Sequence, residues 1–402
     1  MKKFFLLIVV LGALGTLAWF IEQRLNLFQS SVPRGEGVGV SPEKRAEKVT
    51  SPPSEDETAN RKVVVETVAT ELDTPWSIVF TSPERMLVTE RPGKIRVVEN
   101  GKLLSEPLYV FQEVSETGEE GLLSMTLDPE YPQNHLLYLV VAVPKDAGIV
   151  DRVMRFRDAD TTLADAAILL DNIPAARYHA GSRVAFGPDG KLYVSTGDAT
   201  DKNLAQDKKS LGGKILRLNR DGSIPSDNPF PDSPVWSYGH RNPQGLAWHP
   251  DNGFLYETEH GPSGFDGPGG GDEVNLIEKG SNYGWPLVSH EEKKEGTVAP
   301  LIVFTPAEAP ASLLIYSGRQ FSPWRDNLFF GALKGEGLMR LVLDPNDPKR
   351  VVYYEKLQEV DFGRIREVME GPDGYIYFTT SNRDGRGKPV KDDDRIFRLR
   401  FQ

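Results

Sequence analysis

The chain has no cysteine among its 402 residues. That excludes disulfides, thiolate nucleophiles, cysteine-ligated zinc and a lipid anchor on cysteine, and it is compatible with an oxidising compartment. Histidine is scarce as well. The six are His135, His179, His240, His249, His260 and His290, and none forms the HxH or HExxH spacing of a zinc site. There is no Gly-x-Ser-x-Gly nucleophile elbow, no Gly-Lys-Ser/Thr phosphate loop and no EF-hand pattern of alternating acids. Positive charge is in deficit, with 47 Lys and Arg against 58 Asp and Glu and a net charge of −11. Without a basic stripe to neutralise phosphates, no nucleic-acid partner is expected. An anionic small molecule stays open, because a few cations gathered in one low-dielectric cleft override the sign of the surface.

What is present begins with Met1-Lys2-Lys3, followed by an uncharged run of eighteen residues from Phe4 to Ile21 and then Glu22 and Arg24. Residues 1–28 read as a signal peptide or a membrane anchor. The run approaches the ~20 residues that span a bilayer. Its one small-x-small candidate, Ala13-Leu14-Gly15, lies inside the run, which favours the uncleaved anchor helix. Either way the bulk of the chain is exported, to the periplasm or the extracellular face. Residues 29–61 are rich in Ser, Pro, Glu and Lys without hydrophobic period, and read as a flexible, disordered tether. A folded domain is expected over 62–402, opening on "KVVVETVA".

Within that domain one phrase recurs: an apolar residue, a polar turn, then an alternating aromatic strand. It starts at Phe80, Leu127, Phe186, Trp248, Phe321 and Glu370, with spacings of 47, 59, 62, 73 and 49 residues. In "FGPDGKLYVSTG" the proline presets φ, the aspartate bonds the local backbone and the glycine accepts positive φ. Six strand-and-turn repeats of this length, with 38 Gly and 30 Pro and no 3.6-residue period, predict an all-β, six-bladed β-propeller. Two packed sandwiches are the structural alternative. Chemistry in a propeller belongs to loops at one end of the channel, and the longer spacings lead us to expect those loops to concentrate between Leu127 and Phe321.

Four segments carry candidate chemistry. His179, in "RYHAGSR" before the third repeat, is a loop histidine or a general base. Arg241 and Asn242, in "SYGHRNPQG", hold the same place before the fourth repeat; they cap strands or bind a carboxylate-rich ligand by bidentate bonds. The Gly-rich "EHGPSGFDGPGGGDEVNLIEKGSNYGWP" is a flexible insertion or a calcium site, offering the backbone of Gly261-Pro262 with Asp272 and Glu273. Lys334 and the Arg364-Ile365-Arg366 pair, whose guanidiniums share a strand face, are solvated surface or converge on an anion.

Taken in order, "HAGSRVAFGPDGKLYVSTGD", "AQDKKSLGGKILRLNRDGSIPSDNPF", "WSYGHRNPQGLAWHP", "GSNYGWP" and "RIREVMEGPDGYIY" resemble the soluble PQQ-dependent sugar dehydrogenases, the aldose and glucose/sorbosone dehydrogenase group. The resemblance runs from about Leu72 to the C-terminus. It implies a six-bladed propeller that oxidises an aldose at the anomeric carbon to a lactone, passing hydride to PQQ. It makes His179 the general base. It places Arg241, Asn242, Lys334, Arg364 and Arg366 on the cofactor, along with position 119. It also implies calcium, held by the carbonyls of Gly261 and Pro262, with further ligands at Glu273 and Tyr283. The partners implied are an aldose and an external electron acceptor, with the chain acting as a monomer or homodimer.

Three features depart from the family. Its Gly-Gln-Gly-Gly-Leu reads Gly118-Glu119-Glu120-Gly121-Leu122 here, and an acid facing an anionic cofactor at ~4 Å and an effective dielectric near 20 costs ~4 kcal/mol. The loop after Trp285, "LVSHEEKKEGTVAP", lacks the tyrosine that relatives bring to the cofactor, and the Gly-rich insertion is longer than theirs. These departures define the rival reading, a propeller that keeps the fold as a non-catalytic binding module. A metal-dependent lactonase is a third reading, and it lacks the metal cage it needs.

Overall fold

The computed structural model describes residues 62–146 and 148–402. The leader over 1–28 and the tether over 29–61 lie outside the described residues. Among the described residues no helix is long and apolar enough to cross a membrane.

The first strand, β1 (Val63–Ala69), stands apart from its sequence neighbours. The next strands form a blade of β2 (Pro75–Ser82), β3 (Arg85–Glu90) and β4 (Lys94–Glu99), with a broken outer edge of β5 (Lys102–Leu103) and β6 (Tyr109–Val110). Four-stranded antiparallel blades follow. The second is β7 (Leu122–Leu127) to β10 (Leu163–Pro174), with β8 (Leu136–Lys145) and β9 (Gly148–Asp158) between them. The third holds β11 (Gly181–Phe186), β12 (Leu192–Thr196), β13 (Lys214–Leu218) and β14 (Val235–Tyr238). The fourth holds β15 (Pro243–Trp248), β16 (Leu255–Glu259), β17 (Asp272–Ile277) and β18 (Ile302–Phe304). The fifth holds β19 (Pro310–Ile315), β20 (Leu328–Ala332), β21 (Gly337–Asp344) and β22 (Asp347–Lys356). The last holds β23 (Ile365–Glu370), β24 (Ile376–Thr380) and β25 (Ile396–Phe401), and β1 returns as its outer strand.

The six innermost strands pack in sequence, and β23 packs back on β2, so the sheets close into a six-bladed propeller. Each interface between neighbouring blades holds its own apolar cluster, six in all. Because blades are covered on both faces, their middle strands read as continuous apolar runs rather than alternating ones. In β8, Leu137 to Val143 are all buried. All six repeat phrases fall on the connection between the first and second strands of a blade. The fifth is offset: β19 ends at Ile315 and β20 starts at Leu328, so Phe321 sits in a longer connection and packs there on Trp324.

Candidate active site

A cavity of about 610 Å³ opens at one end of the channel, within the usual range for a small-molecule site. It gathers His179, Glu119, Arg241, Asn242, Lys334, Arg364 and Arg366 on one surface, with the Gly261-Pro262 corner beside them. His179, Arg241, Asn242 and the Gly261-Pro262 corner come from the stretch between Leu127 and Phe321, where functional loops were expected to concentrate. Lys334, Arg364 and Arg366 come from the last two blades, which are short in sequence yet face the same mouth.

His179 enters the mouth just before β11, in left-handed backbone conformation with φ 64°. That conformation is unusual for a side chain larger than Gly or Asn, and close packing holds it. Gly197 lies against it so tightly that a Cβ there would meet the His179 carbonyl at 1.6 Å. The imidazole Nδ1 is 2.6 Å from Asp198 Oδ1. Asp198 also accepts bonds from the Thr200 amide at 2.8 Å and the Trp285 indole at 2.8 Å. A carboxylate that accepts everywhere requires Nδ1 to carry the proton, which leaves the Nε2 lone pair for the cavity. The fourth blade repeats the geometry with a different outcome. His240 Nδ1 bonds Glu259 at 2.9 Å, again nineteen residues on, but its Nε2 is spent on Ser237 at 2.8 Å and the ring is fully buried. The sequence equivalence of the two histidines is therefore structural, and only His179 has a nitrogen to offer.

The cations differ in what neutralises them. Arg241 Nε bonds Asp266 at 2.7 Å, and Arg364 pairs with Asp384 at 2.7 Å. Arg183, deeper in the channel, pairs with Glu367 at 2.8 Å. Arg366 has no carboxylate partner among the described residues. Its NH1 donates to the Gln244 amide at 2.7 Å, its Nε is buried without a partner, and its guanidinium lies over Trp76. Burial, with repulsion from Arg364, pushes its pKa down to about 9 despite Asp384. Lys334 is exposed at the rim, also without an ion-pair partner among the described residues. Asn242 works mainly as a scaffold: Oδ1 accepts from the Gly181 and Gln244 nitrogens, and Nδ2 donates to Glu119 at 3.2 Å.

Glu119 is neither protonated nor turned away. Oε2 accepts from the His179 amide at 3.0 Å, and Oε1 is 3.1 Å from Arg386. Burial raises its pKa, but the fields of His260, Arg386 and His179 outweigh this and hold it at about 2. His260 is itself pushed down to about 3 by burial, so Arg386, with Arg366 near it, supplies positive charge to Glu119 at neutral pH where His260 does not. Arg386, from the β24–β25 loop, also lies over the Tyr178 ring.

The four residues expected on calcium line one narrow void of about 10 Å³, room for roughly one water-sized particle. Glu259 joins them. The Tyr283 hydroxyl is committed, donating to the Leu276 carbonyl at 2.6 Å and accepting from the Glu278 amide at 2.7 Å, so only its backbone carbonyl is left to ligate. The Pro262 carbonyl accepts from the Gly270 amide at 3.2 Å, while that of Gly261 accepts nothing among the described residues. Behind Glu273, the buried Glu257 Oε1 and Asn275 Oδ1 lack partners. The donor set is all oxygen, as calcium requires.

The sequence concealed Asp198, Asp266, Asp384 and Arg386. Asp198 had one signal, its place at the end of the quoted repeat; Arg386 had none.

Fold and site together define a propeller whose mouth sets an oriented imidazole against an incompletely neutralised cationic wall. Residues 72–390 match the family model described as Glucose / Sorbosone dehydrogenase, and the chain belongs to that family of sugar oxidoreductases. It is 34% identical over 348 residues to the aldose sugar dehydrogenase YliI of Escherichia coli, covering 80% of this chain and 91% of that protein. The quinoprotein glucose dehydrogenase B of Acinetobacter calcoaceticus is 26% identical over 440 residues, with 85% and 89% covered. The PQQ-bound aldose sugar dehydrogenase of Streptomyces coelicolor superposes with a TM-score of 0.76 at 34% identity, over 88% of this chain and 100% of that one.

Proposed function

We propose that the chain is a PQQ- and calcium-dependent aldose dehydrogenase that converts the anomeric carbon to a lactone. The observation that carries this reading is Arg366, a buried guanidinium without a carboxylate, in one cavity with an imidazole oriented by a carboxylate. A planar tricarboxylate such as PQQ suits Arg366, with Lys334, Arg364 and Arg241 around it. When bound, PQQ supplies the two-electron acceptor, with calcium at the Gly261, Pro262, Glu273 and Tyr283 oxygens as its Lewis acid.

His179 takes the proton of the anomeric hydroxyl on Nε2 while the C1–H bond gives up its hydride, and the C1–O bond becomes the lactone carbonyl. Asp198 holds the productive tautomer and stabilises the imidazolium that forms. The two electrons leave to an external acceptor. The N-terminal apolar run supports export to the periplasm or the extracellular face, as a cleaved or an anchored protein.

The rival, a non-catalytic binding propeller, draws on the acid at Glu119 and on the missing tyrosine of the loop after Trp285. The pairing of Glu119 with Arg386 supplies a local counter-charge, so that acid no longer argues strongly against an anionic cofactor. Reconstituting the full chain with PQQ and calcium, and following reduction of an artificial acceptor with a panel of aldoses, tests the reading. Turnover that His179→Ala lowers at least ~10³-fold, with PQQ still bound, is expected. A folded sample that neither binds PQQ nor turns over an aldose would overturn the reading.

A further inference from the structure

The Gly-rich insertion between β16 and β17 folds back over the mouth as a small closed loop. The Gly270 amide bonds the Pro262 carbonyl at 3.2 Å across its base, and the Gly264 amide bonds the Gly267 carbonyl at 3.1 Å nearer its tip. Asp266 staples the loop to the site: Oδ1 accepts from the Ser263 amide at 2.9 Å and Oδ2 from Arg241 Nε at 2.7 Å, while Arg241 NH2 donates to Ser263 Oγ at 3.1 Å. This tethering holds Phe265 at the rim. Phe265 is 65% exposed, the most exposed large hydrophobic side chain among the described residues, yet it lines the cavity. Its ring runs nearly parallel to that of His179, with centroids 5.8 Å apart and planes at 22°.

An apolar ring left in water, held by an ion pair beside an oriented base, is suited to a ligand with an apolar face. A pyranose has such a face in its axial C–H groups, while its hydroxyls stay available for polar partners. We propose that Phe265 is the sugar platform of this site, taking the C–H face of the aldopyranose whose anomeric hydroxyl His179 addresses. The inference rests on the aldose dehydrogenase reading and goes beyond it by naming the side chain that sets sugar affinity.

The test uses the full chain loaded with PQQ and calcium. Phe265→Ala should raise KM for the preferred aldose about tenfold, with kcat changed less than about twofold and PQQ affinity by fluorescence titration unchanged. Phe265→Trp should restore KM. Phe254→Ala, at an exposed phenylalanine of the β15–β16 turn, should leave KM where it was. An unchanged KM in Phe265→Ala overturns the platform, and so does a rise matched by an equal loss of PQQ affinity or of kcat, since either marks a merely structural loop. If the unsubstituted chain binds no PQQ and oxidises no aldose, the functional reading fails and the platform with it. If that chain is active and Phe265→Ala is silent, the platform alone fails.

Discussion

Asp198 gives His179 its direction, and replacing it separates orientation from binding. In Asp198→Asn the amide still fills the space between Thr200 and Trp285, but it can present an N–H to the imidazole and select the wrong tautomer. We expect kcat to fall roughly 10²–10⁴-fold, with PQQ affinity by titration within about twofold of the parent. A second buried acid tests the electrostatics from the other side. Glu120 is fully buried with both oxygens unpartnered, and Asp151 beside it is raised to about 6, chiefly by burial. The Ser182 hydroxyl lies 2.6 Å from Asp151 and 2.8 Å from the Ala180 carbonyl. One hydroxyl proton cannot serve both contacts, which is resolved if the acid pair carries a proton. Asp151 then keeps a proton in the folded chain that the unfolded chain releases between about pH 4 and 6, so it lowers stability as pH rises through that window, and Glu120, raised well above its ordinary value by burial, acts in the same direction. Asp151→Asn should therefore raise the melting temperature at pH 8, by the equivalent of roughly 1–3 kcal/mol, and change little at pH 4. An equal shift at both pH values would refute this. At this scale the sequence was half legible. His179, Arg241, Arg366 and the acid at Glu119 stood out in the sequence, whereas their partners did not: Arg386 lies 267 residues from Glu119, and only ring closure brings them together.

At the scale of elements, turn chemistry carried most of the information. Pro-Asp-Gly and its variants mark the first hairpin of every blade because Pro presets φ and Gly, where present, accepts positive φ, whatever surrounds them. The fifth hairpin blurred where a longer connection let Phe321 pack away from β19, and the broken edge β5–β6 left no periodic trace to read. The loop between β12 and β13 shows how an element holds the site. Lys214, at the start of β13 and fully buried, spends all three ammonium protons on the carbonyls of Leu204, Ala205 and Gly212, at 2.7, 3.1 and 2.6 Å. The same loop carries Gln206, whose amide donates to Asn282 at 2.9 Å and to the Trp285 carbonyl at 2.6 Å, and Trp285 in turn donates to Asp198. Lys214→Met removes all three bonds; the Leu204 and Ala205 carbonyls keep the Asp207 and Gly239 amides, but the Gly212 carbonyl is left without a donor among the described residues, a loss of about 3 kcal/mol in all. The expected result is a lower melting temperature together with a lower kcat, because the loop that carries Asp198 loosens. A fall in melting temperature with kcat intact would disconnect the loop from the site.

The whole molecule explains how a chain of net charge −11 presents a cationic mouth. The ring brings Arg241, Lys334, Arg364, Arg366 and Arg386 to one end of one channel, and Asp266, Asp384 and Glu119 pair with only three of these five. That convergence depends on closure, and closure depends on β1. Its residues pair with β25 in the register Val63 with Phe401, Val65 with Leu399 and Thr67 with Phe397, and Val63 and Val65 pack on the cluster between the fifth and last blades. The outer strand of the last blade thus ties the two ends of the ring, whereas β10, the outer strand of the second blade, only covers its own edge. Proline removes a ladder donor from either strand, so the two positions can be compared directly. Val64→Pro, opposite Arg400 and two residues along from the bonded pair of Lys62 with Gln402, should lower the melting temperature by about 5–10 °C and weaken PQQ binding, because β23, which carries Arg366, belongs to the blade that loosens. Ala167→Pro, on β10 opposite Arg155, should shift melting by no more than a few degrees and leave PQQ binding unchanged. Equal shifts from the two prolines would show that the ring does not depend on its seam, and the site's charge would then need another explanation than closure.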